Sequence, residues 1–124
     1  MPQIIIETSP NVTLKEPNRL LASINSAVFA TGHFTPQVSI KSRLYQAPFA
    51  CIGLDIASHN AFISITMYLM PGRDDTIKQQ LGQTILVTIK EHINKFESRV
   101  HTHDKLQISV NIIDLAPSYQ KIII

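Results

Sequence analysis

Residues 62 to 70 alternate strictly between large apolar side chains and mostly polar ones, a pattern typical of a β-strand with one buried face. The apolar positions are Ile63, Ile65, Met67 and Leu69, and those between them are Phe62, Ser64, Thr66 and Tyr68. A helical stripe follows the turn "PGRDD" and runs to about Arg99, with Ile77, Leu81, Ile85, Ile89, Ile93 and Phe96. Asp74 and Asp75 stand where a helix N-terminus favours negative charge. Alternation returns at 106 to 113, so this half predicts strand, helix and strand.

The first half of the chain predicts the same order of elements. A short strand over 3 to 7 precedes a helix whose apolar face holds Leu20, Leu21, Ile24, Ala27 and Val28. Thr13 and Glu16 have capping-box spacing, Pro17 suits the first helical turn, and Gly32 suits the helix end. A second strand is predicted over 38 to 45. One face of that strand has Val38, Ile40, Ser42 and Leu44, and the other has Ser39, Lys41, Arg43 and Tyr45.

Two β-α-β units therefore make up the predicted architecture. The units cover about 1–46 and 61–114, with a tail at 115–124, in a single domain over 1–124. Right-handed crossovers would place both helices on one face of a four-stranded mixed sheet, an α/β (α+β) fold. The opposite face mixes Ser, Thr, Tyr, Phe, Gln and Asn, a composition too aromatic for a plain solvent surface. We therefore expect other copies of the chain to cover it in a symmetric oligomer, and the run Ile122 to Ile124 to dock on a neighbour or inside its own subunit.

Composition narrows the classes of function. The chain is 44% hydrophobic and 16% charged, with a net charge of +2 and no basic run between its few aromatic residues, so we expect no nucleic-acid partner. No apolar stretch is long enough to span a membrane, and none resembles a signal-peptide core. Cys51 is the single cysteine, and its apolar neighbours predict a buried thiol in a reducing compartment. We therefore expect a cytoplasmic protein.

The start of the chain, "MPQIIIET", allows two interpretations. In the first interpretation, Pro2 only marks the beginning of an edge strand and has no chemical role. Alternatively, removal of Met1 would leave Pro2 with a free secondary amine, which is a base suited to proton transfer near neutral pH.

Four segments in order, "MPQIIIET", "INSAVFATGHF", "IKSRLY" and "MPGRDDTIKQQLGQ", resemble the tautomerase superfamily, and within it the 5-carboxymethyl-2-hydroxymuconate isomerase family. The resemblance covers residues 1 to about 95. It implies a homotrimer with three sheets inside, six helices outside and active sites near the subunit boundaries. It also implies a small carboxylic-acid substrate, no cofactor and no metal, and a proline base that moves a proton between carbons of an enol or dienol acid.

The same resemblance assigns the candidate site residues. Pro2 matches the catalytic base, and Arg73 matches the substrate-binding arginine that follows the turn. Lys41 stands where the family pattern has a second substrate-binding arginine, while Arg43 is retained two positions later. Cations of this kind would hold a carboxylate and stabilise a developing enolate, but lysine lacks the planar fork of arginine.

Other interpretations of these residues remain open at this point. Lys41 and Arg43 could be a solvated strand face, and Arg73 could close its turn onto Asp74 or Asp75. If catalysis is lost, the chain is a catalytically silent trimeric module that binds a ligand or a partner. The stretch "HTHD" at 101 to 104 has the ligand types of a metal site, but without further ligands a polar loop is the favoured interpretation.

Overall fold

The computed structural model describes residues 2 to 56, 59 to 96, 99 to 100 and 105 to 124. The strands are β1 (Gln3–Thr8), β2 (Val12–Thr13), β3 (Lys41–Gln46), β4 (Ala61–Leu69), β5 (Arg99–Val100) and β6 (Leu106–Asp114). The helices are α1 (Pro17–Ala30) and α2 (Asp75–Phe96), and a single 3-10 turn covers Gln37–Ser39. The predicted stretch "HTHD" lies outside the described residues.

The main sheet has the strand order β3-β1-β4-β6. Strand β1 pairs in parallel with β3, strand β4 pairs in parallel with β6, and the two pairs meet through antiparallel β1 and β4. Strands β2 and β5 form a separate two-stranded sheet. The arrangement confirms the predicted four-stranded mixed sheet built from two β-α-β units, because α1 connects β1 to β3 and α2 connects β4 to β6.

The core lies between the helices and one face of the sheet. The strands contribute alternate residues, and the helices contribute residues at three- and four-residue spacing, as predicted. The fully buried set includes Ile4, Ile6, Ile63, Ile65, Met67, Leu69, Leu20, Ile24, Val28, Leu81, Ile85 and Ile89. Each such side chain stabilises the fold by about 1.5–3 kcal/mol relative to an exposed one. In the described residues no helix is long and apolar enough to cross a membrane.

The two helices begin differently. Asp74 and Asp75 lie at the start of α2, as predicted, and the Asp74 carboxylate also caps the helix by accepting a hydrogen bond from the Ile77 amide at 3.0 Å. The capping box predicted for α1 is wrong. Thr13 pairs within the β2–β5 sheet, and the residue before the helix is Glu16 at φ 51° with no side-chain cap. Pro17 does begin α1, as predicted.

The end of α1 and the approach to β3 correct a second boundary. Gly32 has φ 83° and its amide donates to the Phe29 carbonyl at 3.0 Å, which ends the helix as predicted. Strand β3, however, begins at Lys41 instead of 38, because the Ile40 amide is bonded to the Gln37 carbonyl within a turn. Val38 in that turn is 81% exposed and does not face the core.

Two further expectations are corrected. Helix α2 ends at Phe96, because Arg99 is already part of β5 and pairs with Thr13. Cys51 is exposed and not buried, because the chain between β3 and β4 lies outside the core. Apolar side chains on either side of Cys51 are exposed as well, namely Phe49, Leu54 and Ile56. The tail Ile122 to Ile124 is exposed, so it does not pack inside its own subunit.

Candidate active site

Pro2 lies where three elements of the sheet meet. The Lys41 amide donates to the Pro2 carbonyl at 3.2 Å, which joins the start of β3 to the residue before β1. On the other side of β1, Gln3 is opposite Tyr68, so β4 ends beside Pro2. Pro2 is buried. Because β1 and β4 are antiparallel, the turn after β4, which contains Arg73, lies at the end of the sheet that holds Pro2.

Lys41 is the least firmly held of the three predicted cations. It is exposed, and its Nζ lies 3.4 Å from the Ser39 carbonyl, a long contact within its own chain segment. In the register of the sheet Lys41 is opposite Gln3. The ammonium group is therefore attached to a fixed backbone position, while the side chain itself is weakly held.

Arg43 lies on the face of the sheet that the helices do not cover. It is opposite Ile5, and its Nη1 donates to the Gln3 side-chain oxygen at 2.8 Å. Gln3 directly follows Pro2, so this bond holds the Arg43 guanidinium toward the start of β1. The bond connects Arg43 to the residue after Pro2, and its role in a site stays a prediction.

Arg73 is the most constrained of the three cations. Its Nη2 donates to the His33 carbonyl at 2.8 Å, and its Cζ lies 4.6 Å from the centre of the Phe34 ring. The guanidinium therefore contacts the connection between α1 and β3, whereas Asp74 caps α2. Arg73 therefore contacts His33 and Phe34 and does not close its turn onto Asp74, while its role in a site stays a prediction.

Three residues in this region were not identified from the sequence: Gln3, His33 and Phe34. Gln3 reads as an ordinary strand residue, and His33 has no partner at a recognisable spacing. Phe34 gives a weak signal, since it is a large apolar residue two positions after the glycine that ends α1, and it is only 3% exposed. Its contact with Arg73 joins residues of different halves, which no local pattern reveals.

A wide cleft lies elsewhere, between α1 and α2, with a volume of about 630 Å³. Its lining includes Arg19, Thr88, His92 and Phe96 but not Pro2 or the three cations. The buried His92 places its Nε2 2.7 Å from the Lys15 carbonyl and so links the C-terminal part of α2 to the segment before α1. The cleft is separate from the group of residues around Pro2.

The model of one family, described as 5-carboxymethyl-2-hydroxymuconate isomerase, matches residues 2–121. The chain belongs to this family. It is thus a member of an isomerase family, and the fold is the tautomerase fold. A search of curated proteins gave no match.

Solved structures share the fold at low sequence identity. A 5-carboxymethyl-2-hydroxymuconate isomerase from Deinococcus radiodurans R1 is 20% identical with a TM-score of 0.77, over 97% of this chain and 88% of that one. A 5-carboxymethyl-2-hydroxymuconate delta-isomerase is 15% identical with a TM-score of 0.75, over 99% and 88%. A fused 4-OT symmetric trimer is 16% identical with a TM-score of 0.68, over 97% and 90%.

Proposed function

We propose that this protein is a cofactor-independent isomerase of small unsaturated 2-hydroxy or 2-oxo carboxylic acids, with Pro2 as the general base. The observation that carries the proposal is the convergence of the starts of β1 and β3 with the end of β4 at Pro2. The backbone positions of Lys41, Arg43 and Arg73 lie in β3 and in the turn after β4, and their side chains would supply the cations of the site. Membership of the isomerase family supports the same chemistry.

The base requires a free amine on Pro2, so we propose that the working form lacks Met1. A free α-amino group has an ordinary pKa of about 7.7–8.0. Burial and nearby cations both disfavour its protonated form and so lower its pKa. Pro2 is buried, and Lys41, Arg43 and Arg73 would supply the nearby positive charge. Such an amine would be largely unprotonated near neutral pH, which is the state that a general base needs.

The proposed reaction moves one proton and leaves the composition of the substrate unchanged. With a dienol acid, Pro2 accepts the proton of the 2-hydroxyl group, which gives a conjugated dienolate, and the protonated proline returns that proton to the far carbon. The product is a 2-oxo acid in which the remaining carbon–carbon double bond has shifted. With a simple enol acid, the proton returns to carbon 3 and the product is the 2-oxo acid itself. Arg73, Arg43 and Lys41 would bind carboxylates of the substrate and stabilise the negative charge that develops on the enolate oxygen.

A homotrimer is part of the proposal. A neighbour of the same fold is a symmetric trimer, although at 16% identity this likeness shows only the fold. The chain itself exposes apolar side chains that a monomer would leave in water, namely Phe49, Leu54, Ile56, Ile122, Ile123 and Ile124. Contacts with further copies would bury these residues and would enclose the region around Pro2.

The test is a spectroscopic assay of protein from which Met1 has been removed. Enol acids such as 2-hydroxymuconates and phenylenolpyruvate absorb in the ultraviolet, and their conversion to 2-oxo acids changes that absorbance. Pro2→Ala should abolish the change. Pro48→Ala is the matched control, because Pro48 is exposed in the segment between β3 and β4. Equal rates for Pro2→Ala and the unaltered protein would reject Pro2 as the base.

One observation favours a second candidate function, a catalytically silent trimeric module that binds a ligand or a partner. Lys41 replaces the family arginine, and its ammonium is held only by the 3.4 Å contact with the Ser39 carbonyl in the described part of the chain. Mass spectrometry of the amino terminus of protein from its native cells separates the two functions. Retention of Met1 in most molecules would leave Pro2 without a basic nitrogen and would favour the silent module.

A further inference from the structure

Arg73 is held by two contacts, and one of the two residues that it contacts is itself held by a third. The Phe34 ring lies 4.6 Å from the guanidinium carbon, and the His33 carbonyl accepts from Nη2 at 2.8 Å. The His33 ring is itself tied to α2, because its Nε2 lies 3.3 Å from the Gln80 side-chain oxygen. The guanidinium is thus bound to the α1–β3 connection, and that connection is bound to α2.

The contact with Phe34 has a specific consequence for what Arg73 can bind. The guanidinium carbon lies over the Phe34 ring, within the distance at which a cation–π contact is favourable. Arginine has five N–H donors, and the ring takes none of them as a conventional hydrogen bond; one on Nη2 is donated to the His33 carbonyl, and the others are left for a ligand. A carboxylate is the ligand that such a group of donors binds most strongly. The ring therefore orients Arg73 without competing for its ligand.

Phe34 is well suited to this task because it is itself immobile. It is 3% exposed and belongs to the hydrophobic core. By contrast, Lys41 is exposed and weakly held. Ordering a long side chain on binding costs about 0.5–1.5 kcal/mol, which corresponds to roughly two- to twelvefold in affinity. A side chain that is already ordered avoids that cost.

We infer that Phe34 is a positioning residue, which orients the Arg73 guanidinium so that Arg73 is the principal carboxylate anchor of the site. The inference deepens the proposed function and rests on it for the location of the substrate. Phe34 does not touch the substrate, and its effect on binding passes entirely through Arg73. The loss of an ordinary core residue would instead disturb the whole site, and would affect binding whether or not Arg73 is present.

A double-mutant cycle tests the inference with adipate, a saturated dicarboxylate that cannot isomerise. Its dissociation constant is measured by titration calorimetry for the unaltered protein, Phe34→Leu, Arg73→Ala and the double variant. Phe34→Leu should weaken adipate binding about fivefold, which corresponds to about 1 kcal/mol. In the Arg73→Ala background the same change should alter the dissociation constant by less than about twofold, because the residue through which it acts is gone.

Phe29→Leu is the matched control. Phe29 is another phenylalanine packed against the core, and it lies on α1 away from the contacts of Arg73. It should leave adipate binding unchanged. If Phe34→Leu does not fold, Phe34→Met takes its place, since it keeps most of the volume and removes the ring. An equal loss of affinity in both backgrounds would overturn the inference, and so would a failure of the unaltered protein to bind adipate.

A failure of this inference can be distinguished from a failure of the proposed function. A protein that binds adipate with the expected cycle but turns over no enol acid retains the inference and loses the isomerase proposal. A protein that isomerises enol acids, but shows independent effects of Phe34 and Arg73 on both KM and adipate binding, retains the isomerase proposal and loses the inference. If the inference is right, Phe34→Leu should raise KM by a larger factor than it lowers kcat.

Discussion

The backbone amide of Lys41 donates to the carbonyl of Pro2 across 3.2 Å. The bond belongs to the parallel pairing of β1 with β3, and it fixes position 41 relative to the proposed base. The backbone at position 41 is therefore held in place, and the resemblance to the family implies an arginine there. This makes Lys41 the most informative position at which to test how the site holds its substrate.

Lys41→Arg should raise kcat/KM for dicarboxylate enol acids about three- to tenfold in Met-free protein. Arginine offers two parallel donors to a carboxylate, whereas lysine acts as a point charge. Lys90→Arg is the control, because Lys90 is exposed on α2 and should show no gain. The measurement is the initial rate over a range of substrate concentrations. A lower kcat/KM for Lys41→Arg would show that this site is shaped around lysine.

The pH dependence of the reaction gives an independent test of Pro2 as the base. The base works only when it is unprotonated, so kcat/KM should fall about tenfold per pH unit below the pKa of the amine. Removing a nearby positive charge raises the pKa of an amine, because the charged form is then less disfavoured. Lys41→Gln should therefore move the acidic limb of the profile to higher pH, by about 0.3 units at low salt.

Salt provides the control for this electrostatic effect. At 1 M salt the screening length is about 3 Å, so the shift caused by Lys41→Gln should disappear. Lys90→Gln should leave the acidic limb unchanged at any salt concentration. An acidic limb that moves to lower pH in Lys41→Gln would contradict the proposed influence of the lysine charge on Pro2.

The cap of α2 predicts a local contribution to stability. Asp74→Ala removes the acceptor of the Ile77 amide and should lower the free energy of unfolding by about 1 kcal/mol. Asp75→Asn, in the first turn of the same helix, should cost less, about 0.3–0.5 kcal/mol, because it loses only an exposed charge near the helix dipole. Urea unfolding followed by circular dichroism measures both. Equal losses in the two variants would argue against a specific role of the cap.

Much of the fold could be predicted from the sequence because the burial pattern repeats locally. Ile63, Ile65 and Met67 alternate with polar residues, and a chain with that period satisfies both faces only as a strand. In α2 the stripe through Leu81, Ile85 and Ile89 fixes which side of the helix is buried. Each pattern lies within a single element, so the residues of that element are enough to predict it.

The predictions that are wrong concern residues whose environment depends on contacts far away in the sequence. Thr13 has the right spacing for a capping box, but β5, more than eighty residues later, draws it into a sheet. Cys51 has apolar neighbours, but a single chain offers them nothing to pack against. The contact between Phe34 and Arg73 has the same origin, because it joins the two halves of the chain and leaves no periodic signal in either.

The open face of the sheet, which the helices do not cover, predicts assembly of several copies of the chain. Ser64 and Ser109 face each other there in the register of β4 and β6, and Ser109 is exposed in the single chain. If three copies pack these faces around a common axis, light scattering at micromolar concentration should report about three times the chain mass of 13.9 kDa.

Ser109→Arg should disrupt that assembly, because an unpaired charge inside a subunit contact costs several kcal/mol. Asn94→Arg is the matched control, since Asn94 is exposed on α2, which packs on the other side of the sheet. The control should remain a trimer, while Ser109→Arg should elute and scatter as a smaller species and lose activity with the loss of assembly. A stable, fully active monomer of the unaltered protein would contradict both the trimer and a site that is completed between subunits. A trimeric Ser109→Arg variant would place the subunit contacts away from this face, with the exposed tail Ile122 to Ile124 as the next region to truncate.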